Sequence, residues 1–462
     1  MFKRIALFIS EIKISLVFYW VLILAAIFLL HSGYHINSDE GVVLNGAWNL
    51  VNQRRLYFDF FEFIPPASFY LIYFWWKLFK LGFFSAQILA NLIWFLGVVG
   101  VFKIGQLVYR SKHNYFIPPF LVFISSWFWL INHNVFNIVC LIWSTYFLLL
   151  AARRKELNLF FVSGLLTGLG ILFLQQTGLV FLAATAFFLF IKFLSNKQRL
   201  TFKNLLVYIF GSLLPLLILF AWPLKLLYLN LVDFPIFHYI EVNRIPFGLF
   251  WWFWFFLFSF IFILRRERRA EIFLLIWLQT FLLLSRFPLP DKYHVFLIIF
   301  PLLSLSPLVF KRIVATPLFK KIIYSLIFFI FIFKLYYPAA FYIKDSWRPF
   351  SETSLALVDY LKSNCHSQYF YTGPFAPGLY FAIGKLSPSP FDFLITGQQT
   401  AEQFQQTQES LIKYKPDCAL LIYPDSLKRF HYNKDNLVDN YIRDNYQLIF
   451  SQETYLYFYK LK

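Results

Sequence analysis

The sequence predicts an all-α polytopic membrane protein of about eleven transmembrane helices, followed by a small soluble α/β domain at the C-terminus. Three observations lead to this expectation. Hydrophobic residues make up 60% of the 462 and charged residues only 14%, far from the balance of a soluble chain. The apolar residues gather into runs such as 116–131, 135–152, 205–229 and 322–335, which approach or exceed the ~20 residues a helix needs to cross ~30 Å of hydrocarbon. Near Asp345 the composition changes, and polar residues then dominate. The runs do not alternate apolar with polar, as the strands of a membrane barrel would.

The first run, 14–31, follows Lys3, Arg4 and Lys13. It is long for a cleaved leader and no small-x-small site follows it, so it reads as a retained signal anchor. Further spans are expected at 84–109, 116–131, 134–151, 157–173, 177–194, 204–228, 247–264, 270–285, 293–310 and 319–337. The apolar stretch Ala67–Lys80 is short, follows Pro65-Pro66 and ends among Lys77 and Lys80; it reads as an interfacial or re-entrant helix. With the N-terminus in the cytoplasm, the cytoplasmic segments hold three, two, three, four, four and four basic residues, against five in the outer loops. That asymmetry satisfies the positive-inside rule and places the C-terminus outside a plasma or inner membrane. The net charge of +19 therefore belongs to helix ends facing a bilayer, and nucleic acid is not an expected partner.

Beyond the spans, 351–362 and 400–414 read as helices, the second with Thr400 and Gln403 at capping-box spacing. Strands are expected at 368–371 and 418–423, with a terminal pair at 447–450 and 455–459. The expected division is a transmembrane part over 1–340, with a catalytic outer loop at 32–66, and an extracytoplasmic α/β domain over 345–462. Cys140 lies within a span as a small core residue; Cys365 and Cys418 lie in the outer domain, and their pairing is left open. No Asn-x-Ser/Thr sequon occurs, which points away from a eukaryotic secretory protein. Nothing resembles a P-loop or a dinucleotide glycine fingerprint.

Ionisable groups gather on the outer face. The first loop carries Asp39, Glu40, Asp59 and Glu62, more acids than helix capping requires. An acid held at the membrane surface can act as general base, and Asp39 and Glu40 are the catalytic candidates, with Asp59 and Glu62 supporting them or the acceptor. Two later outer loops bring Arg244, Arg286, Lys292 and His294, cations suited to a phosphate. The alternatives are interfacial snorkelling for Arg286 and Lys292, an ion pair with Glu241 for Arg244, and a satisfied helix-end role for His294. No cofactor is required; His31 and His35 near two acids leave a divalent cation as a lesser reading, without ligand spacing to support it.

An Asp39-Glu40 pair after the first span, Tyr57-x-Asp59 further on, and Pro65-Pro66 before an aromatic helix together resemble glycosyltransferase family 39 and its relatives: protein O-mannosyltransferases, aminoarabinose transferases of lipid A and Rgt-type bacterial enzymes. The resemblance covers roughly residues 14–310 in layout. It implies the GT-C fold, a polyprenyl-phosphate sugar donor, and inverting transfer to a glycan, lipid or protein hydroxyl on the outer face, with Asp39 as base. Ile64 and Gln175-Gln176 stand where relatives carry Lys, so aminoarabinose is not the expected sugar. A transporter or flippase of lipid-linked sugars would instead predict inverted repeats and charges near span midpoints. A non-catalytic scaffold with the same fold is the third possibility.

Overall fold

The computed structural model describes residues 16–31, 39–126, 129–195, 202–239, 248–265, 269–287, 292–315, 317–318, 320–326, 329–330, 352–423, 427, 430–452 and 456–462. The chain opens with α1 (Leu16–Leu30), followed by α2 (Asp39–Val51), α3 (Ala67–Leu78) and α4 (Phe83–Val108). Then come α5 (Ile117–Ser125), α6 (His133–Arg154), α7 (Leu157–Phe173), α8 (Gln175–Leu194) and α9 (Phe202–Leu213). After α10 (Leu224–Tyr228) follow α11 (Gly248–Leu264), α12 (Ala270–Leu284), α13 (Lys292–Leu297) and α14 (Phe300–Val314).

Among the described residues, α4, α6, α8 and the segment Phe202–Ala221 are long and apolar enough to cross a membrane, and α1, α7, Phe253–Leu264 and α12 are shorter apolar helices. α3, at twelve residues, spans only about 18 Å, too little for the hydrocarbon thickness, as its sequence implies. Three expected spans are interrupted, each for a visible reason. Among the described residues of the span 116–131, the helix is the nine-residue α5, which ends at Ser125, ahead of the polar Asn132-His133-Asn134. The span 293–310 divides at Ile298–Ile299, where Pro301 has no N–H to continue the ladder. The span 204–228 is α-helical only to Leu213; Pro215 starts a 3₁₀ segment, Pro223 precedes α10, and the π-helical segment Leu229–Tyr239 contains Pro235.

The bundle packs through small residues, as expected where lipid tails give helices no hydrophobic reason to associate. A Cβ on Gly164 would lie 2.2 Å from the Tyr208 carbonyl oxygen, and one on Gly168 2.2 Å from that of Ser212. α7 and α9 thus touch backbone to backbone. Hydroxyls link the same layer: Ser144 Oγ lies 3.0 Å from Ser163 Oγ and 2.8 Å from Thr167 Oγ1, which lies 3.0 Å from the Tyr208 hydroxyl.

The C-terminal unit contains α15 (Glu352–Asn364), β1 (Tyr371–Pro374), α16 (Gly378–Ile383), α17 (Ala401–Tyr414), β2 (Cys418–Ile422), α18 (Leu437–Asn445), β3 (Tyr446–Gln452) and β4 (Leu456–Leu461). Its four strands form one sheet in the order β1-β2-β4-β3, with β1 and β2 parallel and the other pairs antiparallel. The expected capping box is present, with Thr400 and Gln403 each satisfying the other's backbone N–H. β1 starts at the end of the predicted 368–371; Tyr369 makes only an isolated bridge with Leu386. Cys365 and Cys418 form a disulfide, with Cα atoms 5.7 Å apart, joining the end of α15 to β2.

This unit sits on α2. Trp48 Nε1 donates to the Lys385 carbonyl at 2.8 Å, and the Phe61 amide donates to the Pro390 carbonyl at 2.8 Å. Phe381 stacks on Trp76 of α3 at 5.2 Å. On α2's other flank, a Cβ on Gly46 would fall 2.2 Å from the Phe69 ring, so α3 presses directly on its backbone. Ten of the thirteen α2 residues are buried. The helix that carries Asp39 is therefore clamped on several sides.

Candidate active site

Asp39 is the first residue of α2 and is partly exposed. Its Oδ2 accepts a 3.0 Å hydrogen bond from Asn132 Nδ2. Asn132 is the N-cap of α6, and its Oδ1 accepts from the Asn134 amide at 2.7 Å and from Asn134 Nδ2 at 3.0 Å. Asn134 Oδ1 in turn accepts from Arg286 Nη1 at 3.2 Å. A predicted acid and a predicted cation, from distant parts of the sequence, thus stand at the two ends of one short polar chain. Arg286 lies in the turn after α12 and is only 5% exposed. The turn is held from α8, where Gln176 Nε2 donates to the Ser285 carbonyl at 2.7 Å. Asp39, Arg286 and His294 all lie within electrostatic reach of His133, the first residue of α6.

The other predicted residues fall in different places. Glu40 is buried beside Asp39. Asp59 is held by Arg55, which donates to it through Nε and Nη2, both at 3.0 Å, and through its amide. That guanidinium keeps the Asp59 carboxyl below its usual range. Glu62 is 2% exposed, and burial, with Asp392 nearby, pushes its carboxyl well above the usual range. Lys292 opens α13, and its side chain lies outside the described residues, as does all of Arg244. His31 Nε2 lies 3.3 Å from Ser125 Oγ, and His35 is outside the described residues. Among the described residues no three His, Cys, Asp or Glu side chains are grouped to hold a metal ion.

The sequence reading missed two groups. The first is Asn132-His133-Asn134, whose signal was present as three polar residues between two apolar runs. The second is Asp392, for which the sequence carried no signal. Its Oδ2 accepts from Asn45 Nδ2 at 2.6 Å and from Asn49 Nδ2 at 2.8 Å, both on α2. Arg54 lies beside it and bonds Asn49 Oδ1 at 3.1 Å and the Asp59 carbonyl at 2.6 Å. Burial raises the Asp392 carboxyl to about 6 despite Arg54. The Arg54 guanidinium and the amides of Asn45 and Asn49 favour the charged form of Asp392 and oppose the effect of its burial.

This helical bundle, with an acid-bearing loop and a C-terminal α/β unit packed on α2, has the GT-C fold of membrane glycosyltransferases. The family resemblance is met both by a family match in the sequence and by solved structures. Residues 64–223 match the family described as dolichyl-phosphate-mannose-protein mannosyltransferase. ArnT from Cupriavidus metallidurans, solved with undecaprenyl phosphate, superposes with a TM-score of 0.60 at 11% identity, over 96% of this chain and 97% of that one. The apo state of the same enzyme gives 0.60 at 13% identity with the same coverage. The Archaeoglobus fulgidus oligosaccharyltransferase, solved with zinc and sulfate, gives 0.56 at 10% identity, over 96% of this chain and 73% of that one. No curated protein matches the chain.

Proposed function

We propose that this protein is a glycosyltransferase of the cell membrane that moves a sugar from a polyprenyl-phosphate donor to an acceptor hydroxyl on the outer face, with inversion. The observation that carries the proposal is the linked pair of Asp39 and Arg286, a carboxylate and a guanidinium joined through Asn132 and Asn134. The ArnT structure with undecaprenyl phosphate supports this class of donor. In this reading the N-terminus is cytoplasmic and the C-terminal unit covers the site from outside.

Asp39 takes the proton of the acceptor hydroxyl, with its carboxylate oriented by Asn132. The freed oxygen attacks the anomeric carbon, the bond from that carbon to the phosphate oxygen breaks, and prenyl phosphate leaves. The charge gathering on that phosphate is met by Arg286, with Lys292, His294 and Arg244 as further cationic candidates. Glu40 supports Asp39 from the next position of α2. Asp59, tied to Arg55, and Glu62, buried under the C-terminal unit, shape the loop that carries them.

The test is Asp39→Asn, which keeps size and removes the basic oxygen. Transfer from a polyprenyl-phosphate sugar in detergent is expected to fall by ~10²–10⁴-fold, while undecaprenyl phosphate still binds. Near-parental turnover in the variant would overturn the assignment.

A further inference from the structure

The polar chain from Asp39 to Arg286 also determines how its neighbour His133 is protonated. Asn132 Oδ1 must face the Asn134 amide, a donor, so its Nδ2 faces the Asp39 carboxylate. Arg286 can only donate, so Asn134 turns Oδ1 towards it and Nδ2 the other way. That Nδ2 lies 2.9 Å from His133 Nε2. Nε2 therefore accepts, and the proton of the neutral ring sits on Nδ1. His133 is 8% exposed, and its Nδ1 is buried without a hydrogen-bond partner. A donor left in this way is a cost that needs an explanation. It stands at the N-terminus of a 22-residue helix, whose dipole favours an anion, within electrostatic reach of Arg286.

We propose that His133 is a phosphate-binding residue: its Nδ1–H donates to an oxygen of the prenyl phosphate, alongside Arg286 and the first turn of α6. This rests on the transferase reading above and adds a neutral, directional donor to it. The group also contributes selectivity, because a neutral N–H with a fixed direction gains from an oxyanion and gains little from a prenyl alcohol.

The experiment measures binding of undecaprenyl phosphate, with undecaprenol as control, to the full-length protein in detergent. His133→Leu removes the donor. His133→Asn restores an N–H near the position of Nδ1. The Leu variant is expected to bind undecaprenyl phosphate about ten- to a hundredfold more weakly, as for a hydrogen bond to a charged group, with undecaprenol binding unchanged. The Asn variant is expected to recover most of the loss. Unchanged phosphate binding in His133→Leu would overturn the inference, and a water would then satisfy Nδ1. Equal weakening for both lipids, or no recovery with Asn, would indicate a merely structural role and overturn it as well. If the parent fails to bind undecaprenyl phosphate, the transferase reading fails too. If Arg286→Gln loses binding and His133→Leu does not, this inference fails alone.

Discussion

Replacing Asp392 by Asn should make the protein more stable at neutral pH and remove much of its pH dependence. Asp392 is buried between the C-terminal unit and α2, and its carboxyl is raised from 3.8 to about 6. A raised carboxyl binds its proton more tightly in the folded protein than in the unfolded chain. Its contribution is fully present below pH 3.8 and is lost as pH rises through about 6. The difference between these values corresponds to about 3 kcal/mol between acid and neutral pH. Glu62, also raised by burial, acts in the same direction. Asn at 392 keeps an oxygen for the amides of Asn45 and Asn49 and has no charge to desolvate. Thermal unfolding in detergent should show the parent losing stability from about pH 4 to pH 7, and Asp392→Asn with a shallower slope and a higher melting temperature at pH 7. A variant with the parental slope, or one less stable than the parent at pH 7, would refute the reasoning. Glu62→Gln should remove part of the remaining slope.

Gly168→Leu should disrupt the bundle, because its first side-chain atom would meet the Ser212 carbonyl at 2.2 Å and neither backbone can yield cheaply. A loss of about 1–3 kcal/mol or more is expected, read as a lower melting temperature and a broadened gel-filtration peak; an unchanged melting curve would contradict the backbone contact. The Cys365–Cys418 bridge closes a loop with a sequence separation of 53, worth about 4 kcal/mol in chain entropy, so Cys418→Ala should unfold at lower temperature. The bridge also reports orientation, because disulfides persist outside the cytoplasm. Denatured protein from native membranes, alkylated without reductant, should be modified at Cys140 alone, and labelling of all three cysteines would reverse the topology.

Much of the fold was legible because membrane helices are written in composition. Apolar run length identified α4, α6 and α8, and the short proline-led α3 was separable from a span. The capping box at Thr400 and the hydrophobic strand from Cys418 were equally local signals. Run length failed where apolar sequence does not imply one continuous helix. At Pro215, Pro223 and Pro301 the missing N–H divides what hydropathy joins.

For the candidate site, the sequence supplied the chemical types of the residues. Asp39 and Arg286 could be named from an acid pair after a span and a cation in a later outer loop. Only the tertiary structure decided which of the candidates meet. Asp39, at the start of α2, reaches Arg286, after α12, through Asn132 and Asn134 at the N-terminus of α6, and no sequence spacing encodes that contact. Asp59 was drawn aside by Arg55, four residues away, and Glu62 by burial against a distant part of the chain. Asp392 became important only because packing placed it on α2. The physical reason is the same in each case. Hydropathy and capping act between neighbours along the chain, whereas the orientation of an amide, the tautomer of His133 and the desolvation of a carboxyl depend on groups brought together by folding.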